Sequence, residues 1–286
     1  MKLLTYIWRN VTRNKLRSAL TILSVGFSLA LMTILYGYLA MQGVSEREAQ
    51  KHDRVIVLNK LGFAAPLPIA SVNRVRQQDS IACATPFSWF GGNYQNQRSM
   101  FAQFGVDPEY VFDVFAEYEI PADQVEAFKT NRRGCVVDKT LAEQMEWKIG
   151  DRIPLQGTIF QADLDLQLVG VFEAPGNTGS LWFNWNYLDE ELKKLGSEFP
   201  LSAGSVYAKC KVSGDVSLVC DEIDAIFANS ENATHTRTQA AFQRMFAEML
   251  GDVQTYIRYI SIAVVFALAL VAATAMAMSM RERTTE

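Results

Sequence analysis

Histidine and cysteine are scarce in this chain, and charge is missing from the places where a transport pathway would need it. Its 286 residues include two histidines, His52 and His235, and four cysteines, Cys83, Cys135, Cys210 and Cys220. No two cysteines form C-x-x-C, and neither histidine has a cysteine or second histidine nearby, so a metal site is disfavoured. Neither G-x-S-x-G nor G-x-x-x-x-G-K-[ST] occurs, which leaves no esterase-type nucleophile and no phosphate-binding loop for a nucleotide. Two long apolar runs contain no charged side chain, the usual mark of an ion or proton pathway, and a secondary transporter is disfavoured with it.

Those two runs organise the chain. Ala19 to Met41 offers about 23 uncharged positions and Tyr259 to Met280 about 22, enough at 1.5 Å per residue to cross a hydrocarbon core of roughly 30 Å. The sequence therefore predicts transmembrane helices over 19–42 and 258–280. The first run is too long for the apolar core of a secretory signal peptide, and no A-x-A cleavage site follows it. Lys2, Arg9, Arg13, Lys15 and Arg17 precede the first span, and Arg281 and Arg283 follow the second, which places both termini in the cytoplasm. Between the spans 20 basic residues face 29 acidic ones, about −9 in net charge, so nothing there invites nucleic acid.

Residues 1–18 place Leu3, Leu4, Ile7, Trp8 and Val11 on one helical face and Arg9, Arg13 and Arg17 on another. This pattern predicts an interfacial helix, with Tyr6 and Trp8 in the headgroup zone and Arg9, Arg13 and Arg17 against anionic lipid. A simple orientation signal is compatible with the same residues.

Residues 43–257 form the extracytoplasmic part. Gln42 to Lys51 continues the first helix outward as a stalk, and Ala240 to Tyr256 forms a second, with Phe242, Met245, Phe246 and Met249 at spacings of three and four. Between them the chain alternates strand and helix. Arg54 to Asn59, Ile81 to Trp89 and Met100 to Val106 read as strands around a helix at Ile69 to Gln78; Ser205 to Val212 and Ala233 to Thr238 bracket a helix at Asp215 to Phe227. These are two β-α-β pieces, 52–106 and 201–238, able to share a sheet. The intervening 107–200 reads as an inserted subdomain: strand Gly134 to Asp138, helix Lys139 to Trp147, a turn at Ile149-Gly150-Asp151, and strands ending at Val171. Cys210 and Cys220 both point toward a core, as buried thiols or as a bridge. In Leu181-Trp182-Phe183-Asn184-Trp185, alternation sends Trp182 and Asn184 to one side and Phe183 and Trp185 to the other; packing, rather than a docking surface, is the simpler reading.

Several of these stretches together resemble a known family. The run W-R-N-x-x-R-N-K-x-R-S-x-L-T-I-L-S-V from Trp8 to Val25 is similar to the opening of MacB/FtsX-type ABC transporter permeases, the type VII or mechanotransmission class. Gly105-Val106-Asp107-Pro108, Val136-Val137-Asp138 with Leu141-Ala142, Ile149-Gly150-Asp151, and Val169-Gly170-Val171 resemble, in order, that family's periplasmic core domain. The tail from Met280 to Glu286 resembles the start of its cytoplasmic loop, which usually runs on as R-E-R-x-x-E-I-A.

The resemblance implies an α+β membrane protein with porter-like and sabre-like subdomains, and two further spans beyond Glu286. It implies a multi-pass protein of the bacterial inner membrane that is not itself an enzyme and holds no cofactor, ATP being bound by a partner ABC ATPase subunit. A second permease copy or homologue, and a periplasmic adaptor, are the further partners it implies. Residues 281–286 would begin the coupling loop, with Arg281, Glu282, Arg283 and Glu286 against the ATPase. A two-span sensory receptor with an extracytoplasmic ligand-binding domain explains the same topology, and continuation after Glu286 into a soluble signalling module would favour it.

Overall fold

The computed structural model describes residues 22–23, 26–37, 51–62, 65–95, 97–98, 101–176, 178–196, 202–211, 216–249, 256, 259–266 and 269. The chain divides into two units, one made of residues 1–47 and 244–286, the other of 48–243. In the first, residues 26–37 and 259–266 are helical, and the large apolar side chains of Phe27, Ile34, Ile262 and Phe266 are exposed. Among the described residues no helix is long and apolar enough to cross a membrane. Of the expected spans 19–42 and 258–280, residues 22–23, 26–37, 259–266 and 269 are described and helical; the rest of both spans, and the interfacial helix at 1–18, lie outside the described residues.

The second unit contains strands β1 (Arg54–Asn59) and β2 (Leu67–Pro68), helix α1 (Ile69–Arg76), and strands β3 (Ile81–Trp89), β4 (Asn93–Tyr94), β5 (Gln97–Arg98) and β6 (Ala102–Val106). Helices α2 (Val111–Val114) and α3 (Ala122–Thr130), strand β7 (Gly134–Asp138), helix α4 (Lys139–Gln144), and strands β8 (Arg152–Gln156), β9 (Leu164–Phe172) and β10 (Ser180–Asn184) follow. Helix α5 (Trp185–Lys194), strands β11 (Ser202–Ala203) and β12 (Ser205–Cys210), helix α6 (Val216–Phe227) and strand β13 (Thr234–Thr238) follow, and the unit closes within helix α7 (Gln239–Met249), of which residues 239–243 belong to it.

Among the described residues eleven strands form one sheet in the order β13-β1-β12-β3-β6-β10-β7-β9-β8-β4-β5, and β11 and β2 pair separately. The two β-α-β pieces interleave: β12 lies between β1 and β3, antiparallel to both, and β1 lies between β12 and β13. This is the split β-α-β arrangement, in which each crossover helix spans a strand contributed by the other piece. The stretch 107–200 is continuous with it through β10, which runs parallel to β6 and antiparallel to β7. The β4–β5 hairpin, although it comes from the first piece in sequence, pairs onto β8 at the far end.

Both faces of the sheet are covered. On one, α1, α4, α5 and α6 pack over Val55, Val57, Val137, Leu181 and Phe183; on the other, α2 and α3 pack with Phe87, Val106, Val136, Phe172 and Trp182. This explains why all six residues of β1 and all five of β7 and β10 are buried: a strand covered on both faces has no side left for polar alternation.

Three of the motifs that carry the resemblance have a local physical reason. Asp138 caps α4, accepting from the Thr140 amide at 2.9 Å, and also takes the Thr178 amide at 3.0 Å and hydroxyl at 2.7 Å. Asp107, at the end of β6, receives Arg76 of α1 at 2.5 Å, and its own amide donates to the Thr85 hydroxyl at 3.2 Å. Gly150 turns the chain before β8 with φ of +100°, a conformation that side chains rarely adopt. None of the four cysteines is in a disulfide; Cys135, Cys210 and Cys220 are buried and Cys83 half-buried.

Candidate functional site

Where a domain is entered and left by the chain, any force carried along the backbone arrives, and here the two places adjoin. Among the described residues β1 is the first strand of the unit 48–243 and β13 the last, and they pair with Val55 opposite Thr238. Arg54 begins β1 and Gln239 begins α7, directly after β13.

Arg54 is 2% exposed although it carries a permanent charge. Its Nε donates to Gln239 Oε1 at 2.7 Å. Nη1 donates to the Val114 carbonyl at 2.9 Å and to Glu117 Oε2 at 3.1 Å, while Nη2 closes a second bond on Glu117 Oε1. The guanidinium also lies 4.3 Å from the centroid of the Phe115 ring. Such a two-pronged pair suits arginine, whose planar fork matches a carboxylate, and satisfies the charge that burial would otherwise penalise. His52 is a second nitrogen-bearing partner, with Nε2 3.7 Å from Glu117 Oε1.

The segment that receives Arg54 belongs to the second core. Phe115 and Tyr118 both lie 5.4 Å from Trp182 of β10, and Tyr118 stacks on Phe172 of β9 at 5.6 Å. Glu119 and Glu173 exchange backbone hydrogen bonds of 2.9 and 2.8 Å just beyond β9. A continuous set of contacts thus runs from the first strand and the last helix of this unit, through one guanidinium, into the distal strands. Burial pushes the Tyr118 hydroxyl well above its usual range, with the Arg54 charge opposing that shift.

Of the residues singled out in sequence, Phe242 sits on α7 with its ring 6.3 Å from that of Tyr207, edge to face, and Met245 is half-buried on the same helix. Phe246 and Met249 fall within α7, but their side chains lie outside the described residues. Tyr6, Trp8, Arg9, Arg13, Arg17, Arg281, Glu282, Arg283 and Glu286 also lie outside them. Trp182 and Phe183 join opposite cores. Among the described residues no group of His, Cys, Asp or Glu could hold a metal ion. Arg54, Glu117 and Gln239 escape sequence reasoning; the one available signal is a charge opening an otherwise apolar strand.

The family model for the MacB-like periplasmic core domain matches residues 18–226. The periplasmic region of MacB from Actinobacillus actinomycetemcomitans is similar in fold, with a TM-score of 0.51 at 12% identity over 68% of this chain and 92% of that one. The extracellular domain of the noncanonic ABC-type transporter YknZ from Gram-positive bacteria aligns with a TM-score of 0.46 at 12% identity, over 64% of this chain and 99% of that one. Comparison with curated protein sequences gives no match.

Proposed function

Because the chain belongs to the MacB-like periplasmic core domain family, we propose that it is the permease subunit of an ABC transporter whose outer domain is moved from the cytoplasm by a separate ATPase. The observation that carries the reading is the meeting of both ends of the outer domain at Arg54, 2.7 Å from Gln239. A domain held at adjacent roots responds to relative movement of those roots. The lack of a nucleotide-binding loop agrees with ATP being bound on a partner subunit.

On this reading the chain sits in the inner membrane, with residues 43–257 outside and both termini inside. Arg281, Glu282, Arg283 and Glu286 meet the ATPase, and the permease works beside a second copy or a homologue, with a periplasmic adaptor as a further partner. Efflux, lipoprotein release and transmembrane signalling are all served by such a device. The test is charge reversal of Glu282 and Glu286 to lysine in the complete permease. Membrane insertion should persist while co-purification of the ATPase falls; insertion with undiminished ATPase binding overturns the assignment of this end.

A further inference from the structure

We propose that Arg54 is a latch joining the roots of the outer domain to its distal half, so that a shift of either root is felt in residues 114–119. The inference rests on the reading above, in which the outer domain is moved from its roots. Three segments converge on the one guanidinium: β1, whose first residue it is; the start of α7 through Gln239 Oε1; and the 114–117 segment through Val114 O and both Glu117 oxygens.

A buried guanidinium imposes an all-or-none character on such a junction. Moving its partners away leaves the guanidinium of Arg54, 2% exposed, buried without compensation, while Glu117 keeps part of its surface in water. Small displacements at the roots are therefore carried along with the pair intact, and large ones open it, giving two discrete arrangements rather than a soft gradient. Beyond the pair, transmission needs no further charge. Phe115 and Tyr118 are held against Trp182 and Phe172, and Glu119 is hydrogen-bonded to Glu173. Movement of 114–119 thus acts directly on β9 and on β10, the strand that joins the distal part of the sheet to β6.

The latch is tested by reciprocal perturbation in the full chain in lipid nanodiscs, read by amide hydrogen exchange. Gln239→Ala, at one root, should accelerate exchange in 114–119 about fivefold or more, and Glu117→Gln should do the same in 239–243. Exchange in β4, at the far end of the sheet and paired with β5 and β8, should stay unchanged in both. In an Arg54→Met background, the two substitutions should lose their action at a distance. If each substitution accelerates only its own segment, or if distant effects persist without Arg54, the latch is overturned. Should Arg54→Met fail to fold, the reciprocal pair decides alone. The measurement involves no ATPase, so failure of the permease reading would leave its outcome intact.

Discussion

Trp182 and Phe183, adjacent in the chain, belong to different hydrophobic cores. Trp182 meets Phe172 at 4.6 Å on one face of the sheet, while Phe183 meets Phe90 at 5.7 Å on the other. β10 is thereby fixed from both sides, and it is the strand that joins the two parts of the sheet. Trp182→Ala should cost about 3–5 kcal/mol, the range for truncating a buried aromatic. Trp89, 60% exposed at the end of β3, should cost less than about 0.5 kcal/mol on the same change. Denaturant unfolding followed by circular dichroism checks both; equal costs would contradict the core assignment.

Asp138 offers a second stability test. It is 2% exposed and accepts three hydrogen bonds, from Thr140 and from both donors of Thr178. Asp138→Ala strips the cap from α4 and frees the Thr178 donors, an expected loss of about 2–4 kcal/mol. Asp138→Asn, which retains one acceptor oxygen, should lose less. Identical unfolding midpoints for the two variants would count against the capping role.

Much of this architecture is readable in sequence, and the unread part has a common cause. β1, β3 and β7 lie where their apolar runs place them, at Arg54–Asn59, Ile81–Trp89 and Gly134–Asp138. Local periodicity dictates such elements. The parallel pairing of β6 with β10 is not local, since Gly105 and Phe183 meet across most of the intervening stretch. For the same reason the ion pair of Arg54 with Glu117, 63 residues apart, is invisible to spacing rules, which see only partners within one helix or hairpin. The strand expected from Met100, which lies outside the described residues, is seen over Ala102–Val106, and the helix expected over Lys139 to Trp147 spans Lys139–Gln144, because Glu146 takes a φ of +55°.

Alkaline pH should destabilise the outer domain. Desolvation pushes the Cys210 thiol from 9.0 up to about 11, aided by the Asp53 and Glu222 carboxylates. It likewise pushes the Tyr207 hydroxyl from 10.0 up to about 12, against the opposing Arg54 charge. Both groups keep their protons longer folded than unfolded, so their contribution is complete below about pH 9 and disappears as pH rises through the folded values. The unfolding midpoint should therefore fall between about pH 9 and 12, and Cys210→Ala should flatten the lower part of that fall. A midpoint constant across this window would contradict the burial of both groups.

Topology can be read with thiols placed at exposed acids and bases. Glu109 and Lys139 are 61% and 53% exposed on the outer unit. In a Cys83→Ser background, cysteines at these positions should react with a membrane-impermeant reagent in cells with a permeable outer membrane, and one at Thr5 should not. The opposite pattern would place the domain in the cytoplasm and overturn the positive-inside reading.

The central claim is that ATP in the cytoplasm moves the outer domain through its roots. Its most direct test is amide hydrogen exchange of the complete permease with its ATPase in lipid nanodiscs, compared between nucleotide-free and ATP-trapped states. Exchange in 114–119 and 239–243 should differ between the two states, because both segments meet Arg54. Identical exchange throughout residues 51–243 in the two states would contradict the account.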